Sequence, residues 1–250
     1  MIKTEIKNNS AIITLSRPDK RNALNPELVK YLKQAFKNIE NDNSVKSVIL
    51  TGEGSAFCAG ADLEYLKQLS NFSSLENYDD SKSLAELFLL IYEFPKPTIA
   101  AVNGPAIAGG CGLASVCDFI VAHPEKSKFG YSEVKIGFLP AIVSIFLINK
   151  IGEGLAKQLL LEANIISGKR AHEIGFVNYL SEDVLKEAEV LSENLNRNSL
   201  GSIKQTKQMI NAVSNLNVRD AVNYCLNLNT ISRQSDDFKK GLSDFLKEDK

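Results

Sequence analysis

Short apolar runs rich in β-branched residues alternate with an amphipathic segment in the first fifty residues. Residues 11–15 and 45–51 are runs of this kind, bounded by polar and turn residues, and they predict buried strands. Between them, Asn25 is a favourable N-cap and Pro26 suits the first helical position. An apolar stripe at helical spacing follows, made of Leu28, Val29, Leu32, Ala35, Phe36 and Ile39. The pattern predicts a strand, a helix and a second strand.

The same alternation recurs further along the chain. A helix over 83–92 is expected before a strand over 98–102, and a short helix over 109–116 is expected before a strand over 118–122. Strands that alternate with helices indicate an α/β fold with crossover connections. The first part of the chain is therefore expected to form one α/β core.

The last fifth of the chain has a different pattern. After about Asn196 the sequence predicts three helices and no further strand. We therefore expect a core of residues 1–195 and a helical C-terminal region of residues 196–250. An all-helical segment after an α/β core is either a lid on that core or an oligomerisation element, and periodicity alone does not separate these two roles.

Composition and charge serve mainly to exclude classes of function. The 250 residues are 44% hydrophobic and 24% charged, as in an ordinary globular protein. The formal net charge of -1 leaves no excess of positive charge for a nucleic-acid backbone or an anionic membrane. No stretch approaches the roughly 20 apolar residues that span a bilayer, and the N-terminal residues lack the apolar centre of a signal peptide. We expect a cytoplasmic location, with no nucleic-acid and no membrane partner.

The cysteines and histidines are not expected to act in catalysis or to bind a metal. The cysteines show no CxxC spacing and lie among apolar or small residues, which is unlike a zinc site or a disulfide framework. They are therefore interpreted as reduced, buried thiols: Cys58, Cys111, Cys117 and Cys225. His123 and His172 each follow a short apolar element and lie outside any recognisable motif.

The first candidate site segment is SAFCAGADL, residues 55–63, which follows a predicted strand and precedes a predicted helix. Ala59, Gly60 and Ala61 have small side chains or none, so a ligand oxygen could reach their backbone N–H groups. Taken alone, a glycine turn before a helix is more often only a turn.

The second segment, NGPAIAGGCGLA at residues 103–114, also follows a strand and begins a helix. Gly109 and Gly110 stand at its start, where unpaired N–H groups and the positive end of the helix dipole favour a developing negative oxygen. The alternative explanation is that these glycines only permit close packing of the helix against the sheet.

The third segment, FGYSEVKIGFLP at residues 129–140, places Glu133 between an aromatic pair and an apolar stretch. A carboxyl group in such surroundings is partly desolvated, which raises its pKa towards the range of a general base. The alternative is a surface glutamate at the edge of a loop.

The order and spacing of these three segments resemble the enoyl-CoA hydratase/isomerase, or crotonase, superfamily. RNALNPEL, KPTIAAVNGPAIAGGCGLASVCDF and DDFKKGLSDFLK add to a resemblance that covers essentially the whole chain. It implies a crotonase-like ββα spiral core with a helical C-terminal oligomerisation region. It also implies an acyl-CoA thioester substrate, no separate cofactor because coenzyme A is part of the substrate, and a homotrimer or a hexamer built as a dimer of trimers.

The resemblance implies roles for individual residues. Ala61 and Gly109 would supply two N–H groups that bind the thioester oxygen as it becomes an enolate, and Glu133 would be the single acid/base. The substrate-binding residues that it implies are Lys20, Ala23, Leu24, Ala59, Gly60, Asp62, Gly110, Gly112 and Tyr131.

The sequence departs from the pattern of hydratases that use two glutamates. Gly112 stands where those hydratases carry the first glutamate, whereas Glu133 matches the second. One carboxylate suffices to move a proton from C2 of a 3-enoyl thioester to C4, so isomerisation is mechanistically favoured. Tyr131, or an acid in the mobile-looking stretch 70–82, could replace the lost acid, so hydration stays open. After Pro140, AIVSIF replaces a glycine-rich stretch and predicts a bulkier, more apolar pocket wall.

Two other classes of function stay open at this point. A thioester hydrolase or decarboxylase of the same superfamily would use the same oxyanion site with other side chains. A non-catalytic acyl-CoA-binding subunit would account for the loss of one glutamate.

Overall fold

The structure is a computed structural model that describes residues 1–248. Strands and helices are interspersed as far as residue 180, and only helices follow in the described part of the chain. The strands are, in chain order, β1 (Ile2–Lys7), β2 (Ser10–Leu15), β3 (Ser47–Gly52), β4 (Thr98–Val102), β5 (Ala106–Ile107), β6 (Phe119–Ala122), β7 (Lys128–Gly130), β8 (Ile166–Ser167) and β9 (Tyr179–Leu180). The helices are α1 (Pro26–Glu40), α2 (Leu63–Leu69), α3 (Ser74–Tyr92), α4 (Gly109–Ser115), α5 (Ala141–Glu162), α6 (Gly168–Glu173), α7 (Val184–Asn196), α8 (Leu200–Val213), α9 (Val218–Ser232) and α10 (Asp236–Glu248).

The main sheet has six strands in the order β1-β2-β3-β4-β6-β9. β1 and β2 form an antiparallel pair, and the other neighbouring strands are parallel. The register places Ile13 opposite Leu50, and Leu50 opposite Ala100. A smaller sheet, β5-β7-β8, pairs Ala106 with Phe129. Because parallel neighbours require crossover connections, this arrangement confirms the predicted α/β core.

The core packs on both faces of the main sheet. Side chains on a strand alternate between faces, so Ile13 joins the large cluster under α1, α3 and α4 while Ile12 points to the other side. There Ile49 and Ile12 pack with Val184 and Ala188 of α7. Among the described helices, none is both long and apolar enough to cross a membrane.

Helix α1 follows the pattern predicted from the sequence. The side-chain oxygen of Asn25 accepts the N–H of Leu28 at 2.9 Å, and Pro26 is the first helical residue. All residues of the predicted stripe are buried, as a helix lying on a sheet requires. The strand predicted over 98–102 is also confirmed, with the same bounds.

Two features differ from expectation. The helix expected over 83–92 begins earlier, at Ser74, so that it includes most of the stretch 70–82, and a reciprocal capping box between Ser73 and Glu76 closes its first turn. Strand β1 is not signalled in the sequence because it is an edge strand whose residues, apart from Ile2, are exposed. Its pairing with β2 supplies the structure that its own hydrophobic pattern does not specify.

Three helices follow residue 196, as predicted. α8 and α9 bury no residue completely in the described structure. The exposed large apolar side chains of these helices, of α10 and of the turn between α8 and α9 are Ile210, Leu216, Val218, Val222, Leu226, Ile231, Phe238, Leu242, Phe245 and Leu246. Lys207 ties α8 to the core by donating to the Asp118 carboxylate at 2.6 Å. The division into 1–195 and 196–250 stays a prediction, and residues 249–250 lie outside the described residues.

A buried lysine completes the end of α1. Lys96 is 4% exposed, and its ammonium group donates to the carbonyl oxygens of Ile39 at 2.6 Å and Asp42 at 2.7 Å. Helix C-termini leave carbonyl groups such as these without a partner inside the helix. Burial lowers the pKa of Lys96 from its ordinary value. The charge is therefore held in the interior by backbone dipoles.

Lys96→Met is expected to lower the free energy of unfolding by about 1 to 3 kcal/mol, because two carbonyl groups lose their donor. Urea denaturation measures this change, which should move the midpoint while the slope stays constant. Lys157→Met is the control, since Lys157 only pairs with Glu153 on the surface, where ion pairs contribute little. Equal effects of the two substitutions would contradict the role of Lys96 at the end of α1.

Candidate active site

The loop after β3 and the loop after β4 lie side by side. Cys58 and Ala106 form a parallel bridge, and the N–H of Ile107 donates to the carbonyl oxygen of Cys58 at 3.0 Å. A Cβ atom at Gly110 would lie 2.0 Å from that same oxygen. A Cβ atom at Gly60 would lie 2.8 Å from the carbonyl oxygen of Ile107, and Gly60 also has a φ of +91°. Glycine is required at both positions because the two backbones touch.

Ala61 is held in place by the segment that precedes α1. Leu24 donates its N–H to the oxygen of Gly60 at 2.7 Å and accepts the N–H of Asp62 at 2.8 Å, which forms a parallel bridge between Leu24 and Ala61. Peptide groups alternate in direction along a paired segment, so the N–H of Ala61 points away from Leu24. No acceptor for this N–H lies among the described residues. It is available to an external oxygen.

Gly109 is the first residue of α4, where a helix has no internal acceptor for the N–H group. Ala108 precedes it with φ 49° and ψ −119°, a conformation that L-residues rarely adopt, and donates its own N–H to Gly130 at 2.8 Å. A Cβ atom at Gly109 would lie 3.1 Å from Cδ1 of Leu24. Leu24 therefore adjoins both Ala61 and Gly109, whose N–H groups have no acceptor among the described residues.

Glu133 begins a 3₁₀ turn, Glu133–Ile136, that follows β7. The residue is 7% exposed, and its Oε2 atom has no hydrogen-bond partner among the described residues. Burial raises the pKa of Glu133 above the ordinary value of a glutamate. The alternative of a surface glutamate is therefore wrong. A buried carboxyl group with an unpaired oxygen is suited to exchanging a proton with a ligand.

The space next to Gly112 is filled by apolar side chains. Gly112 lies three residues after Gly109 on α4, so the two positions lie on the same side of the helix. A Cβ atom at Gly112 would lie 2.4 Å from Cγ1 of Val143 and 3.1 Å from the ring of Phe88, and both side chains are buried. The ring of Phe146 packs behind Phe88 with centroids 6.0 Å apart. The wall predicted after Pro140 is therefore apolar where Val143 faces Gly112, the position at which the sequence resemblance places the first glutamate.

The side chain of Asp62 is engaged within the protein. Its Oδ2 atom accepts a hydrogen bond from Arg17 at 2.8 Å, and its Oδ1 atom accepts the N–H of Glu64 at 3.0 Å, which caps α2. The Arg17 guanidinium holds the pKa of Asp62 below its ordinary value. Lys20 pairs with Glu64 on the surface at 2.8 Å. Arg17 is not among the residues predicted from the sequence, although a charged residue two positions after a buried strand is a recognisable signal.

The predicted site residues differ in their exposure. Three of them are half-exposed, namely Ala59, Ala61 and Gly109, and Lys20 is exposed. Buried are Ala23, Leu24, Gly60, Asp62, Gly110, Gly112, Tyr131 and Glu133. Of the backbone positions proposed to meet a ligand oxygen, Ala61 and Gly109 are partly exposed and their N–H groups have no acceptor among the described residues. By contrast, the N–H of Ala59 donates to the carbonyl oxygen of Arg21 at 3.0 Å, and Gly60 and Gly110 are buried. Tyr131 lies beside Cys111 of α4 in the interior, and burial raises the pKa of its phenol well above the ordinary value.

The surroundings of the cysteines and histidines indicate a structural rather than a catalytic role. Burial raises the thiol pKa to about 12 for Cys58, Cys111 and Cys117, which keeps these side chains neutral. Cys225 is only half-buried, so the prediction of a buried thiol is wrong there; no residue of α9 is fully buried in the described structure. The Nδ1 atom of His123 accepts the N–H of Glu125 at 3.0 Å. Nδ1 of His172 lies 2.9 Å from the carbonyl oxygen of Val177.

Comparison with known proteins identifies the family of this chain. The family model described as enoyl-CoA hydratase/isomerase matches residues 5–250. A Thermus thermophilus relative that bears the enoyl-CoA hydratase name is 40% identical over 247 residues, which are 98% of this chain and 97% of the relative. The crotonyl-CoA hydratase of Syntrophomonas wolfei is 32% identical over 244 residues, covering 96% of this chain and 92% of that protein.

The solved structures give the same result for the fold. A crystal structure from Legionella pneumophila, described as of the enoyl-CoA hydratase/isomerase (crotonase) kind, superposes with a TM-score of 0.92 at 33% identity, covering 99% of this chain and 96% of that one. A Polaromonas enoyl-CoA hydratase gives a TM-score of 0.94 at 31% identity, covering 99% and 97%. The crotonase fold predicted from the sequence is confirmed. The chain belongs to the enoyl-CoA hydratase/isomerase family and is an acyl-CoA-processing enzyme of that family.

Proposed function

We propose that the enzyme binds the thioester oxygen of an enoyl-CoA with the N–H groups of Ala61 and Gly109 and moves a proton with Glu133, and that double-bond isomerisation is favoured over hydration. The observation that carries this proposal is the apolar filling at Gly112. Val143 and Phe88 occupy the space that a second carboxylate would need.

The oxyanion role is supported by the N–H groups of two partly exposed residues that lack acceptors in the described structure. Loss of a proton at C2 of the thioester places negative charge on the carbonyl oxygen. N–H groups fixed in advance stabilise that charge without having to reorganise, and removing one such donor from an enzyme typically costs about 10²- to 10³-fold in rate. Ala61 and Gly109 are held by backbone bonds on either side, which provides this rigidity.

The proton-transfer role is supported by the burial of Glu133 and its raised pKa. The ionised carboxylate removes a proton from C2 of a 3-enoyl thioester and becomes neutral. The dienolate carries charge at C4 as well as on oxygen, and the Glu133 carboxylic acid returns the proton to C4. The product is the 2-enoyl thioester, Glu133 is ionised again, and no electron is gained or lost, so we propose that no cofactor is required.

Hydration is the second candidate, because relatives carry hydratase names. It would require a polar group that orients water near the double bond. At Gly112 the neighbouring side chains are hydrocarbon, which cannot hold a water molecule. The acids of the stretch 70–82 are weak substitutes, since Asp80 already accepts the hydroxyl of Tyr65 at 2.5 Å, Glu76 pairs with Ser73 in the capping box, and Asp79 is exposed to solvent. These contacts favour isomerisation.

We assign the proposed substrate contacts from the exposure of each residue to solvent. Ala59 would meet the coenzyme A portion through its backbone, together with the segment from Lys20 to Leu24. The buried Asp62, Gly60 and Gly110 would act by shaping the backbone rather than by touching the substrate. A cytoplasmic location stays a prediction.

Glu133→Gln is expected to lower turnover by about 10²- to 10⁴-fold, the usual contribution of a general acid/base, while thioester binding changes little. In the native enzyme the rate should fall as pH decreases through the raised pKa of Glu133, because only the ionised form removes a proton. Glu125→Gln, on an exposed turn, is the control. A rate that is unchanged in the Glu133→Gln variant, measured by absorbance and mass of the enoyl-CoA products, would exclude Glu133 as the base.

Gly112→Glu alone is expected to add no hydration activity, because its Cβ would collide with Val143. Combining it with Val143→Ala removes the colliding Cγ1 atom, and this double variant should show a higher ratio of hydration to isomerisation. Val143→Ala alone is the control for altered packing. Rates on matched 2-enoyl- and 3-enoyl-CoA esters give the ratio. Hydration as fast as isomerisation in the native enzyme would contradict the preference, and hydrolysis as the only reaction would favour the thioesterase class.

We further propose that the helices after residue 196 bury their exposed apolar side chains in a homotrimer or hexamer. The support is the large apolar surface of α8 to α10, since monomeric proteins rarely leave such patches open. Light scattering of the full chain should give three or six subunits. Val222→Lys and Leu226→Lys on α9 should lower that number, whereas Lys204→Ala on α8 should not, and a monomeric native chain would refute the proposal.

A further inference from the structure

The segment between β2 and α1 is attached to the loop that carries Ala61 by several polar contacts. The side chain of Asn22, fully buried, donates to the carbonyl oxygens of Glu53 at 2.9 Å and Ala56 at 2.8 Å. Its oxygen accepts the N–H of Arg17 at 2.8 Å. The N–H of Ala59 donates to Arg21 at 3.0 Å. The two chain segments therefore form one hydrogen-bonded unit.

Arg17 joins these two chain segments next to Ala61, whose N–H group has no acceptor among the described residues. One guanidinium nitrogen donates to Asp62 at 2.8 Å and the other donates to the carbonyl oxygen of Ala23 at 2.5 Å. Ala23 directly precedes Leu24, and Asp62 directly follows Ala61. One planar group thus fixes the residues that flank the bridge between Leu24 and Ala61.

The environment of this ion pair makes it rigid. The side chains of Arg17 and Asp62 are 14% and 8% exposed, so water competes little with their hydrogen bonds. Opposite charges at this distance leave little net charge to act on a substrate. The contribution to a reaction must therefore come from geometry. The fixed fork of a guanidinium holds two acceptors in a defined relation, which the single ammonium group of a lysine cannot reproduce.

We propose that Arg17, through Asp62, is a positioning residue for the N–H of Ala61. This inference rests on the proposed oxyanion role of that N–H. Asp62 also caps α2, so the pair sets the direction in which the chain leaves Ala61. Misplacement of a reacting group by about 1 Å can cost about 10²-fold in rate. A small rotation of the peptide before Ala61 is enough to weaken its bond to the thioester oxygen.

The direct test is the carbonyl stretching frequency of an unreactive saturated acyl-CoA thioester, labelled with ¹³C at the carbonyl, by difference infrared spectroscopy. Hydrogen bonds to the carbonyl oxygen lower this frequency. The native full-length enzyme should lower it strongly, and Arg17→Lys should lower it clearly less. Arg17→Met extends the series if it folds, and Arg17→Lys keeps the test possible if it does not.

Lys207→Met is the matched control. It breaks another ion pair of similar burial, with side chains 14% and 23% exposed, between α8 and Asp118. Its thermal stability should fall to a similar extent, but its carbonyl frequency should match that of the native enzyme. Turnover on the enoyl-CoA ester that the native enzyme converts should fall about 10- to 100-fold in Arg17→Lys, with KM changed by less than about threefold.

The outcomes separate this inference from the proposed function. A native frequency shift that Arg17→Lys retains in full would overturn the positioning role and leave the oxyanion site intact. No shift in the native enzyme, although the thioester binds, would instead refute the oxyanion site. An equal loss of shift in Lys207→Met would show that Arg17 acts only through general stability, which also overturns the inference.

Discussion

No side-chain atom can occupy the Cβ position of Gly110, because the carbonyl oxygen of Cys58 would be only 2.0 Å away. This contact brings the loop after β3 against the loop after β4 and allows Ile107 to donate to Cys58. Since β3 and β4 are parallel neighbours, both loops leave the same edge of the sheet. The same contact keeps Ala61 and Gly109, whose N–H groups have no acceptor among the described residues, next to the shared neighbour Leu24.

Much of this arrangement could be predicted from the sequence, since it depends on local patterns. The N-cap and apolar stripe of α1 and the small residues around Gly60 are visible in short windows. The filling of the space at Gly112 is different, because it depends on Phe88 and Val143, which come from two other helices. Likewise, no short stretch of sequence shows that the carboxylate of Asp62 accepts a hydrogen bond from Arg17, which is distant in the sequence. Contacts of this kind arise from the packing of elements that are distant in the sequence.

The site combines a polar backbone with hydrocarbon side chains. Charge that develops on a thioester oxygen would meet fixed N–H dipoles, whereas the region beside Gly112 offers only Val143 and Phe88. In such surroundings the single carboxyl group of Glu133 has no charged competitor at that position. A low local dielectric strengthens each electrostatic interaction that is made and penalises each one that is missing. Under the proposed function, the preference for isomerisation would depend on the apolar side chains beside Gly112 as much as on the carboxyl group of Glu133.

Ala108, in the left-handed half of conformational space, stands directly before the N–H of Gly109. Glycine would adopt this conformation without a steric penalty, whereas for alanine it costs about 1 to 3 kcal/mol. The methyl group also removes most of the other backbone conformations that glycine would sample at this joint. The methyl group of Ala108 thus causes both the strain and the restriction. Folding is made less favourable, and the direction of the following peptide becomes nearly invariant.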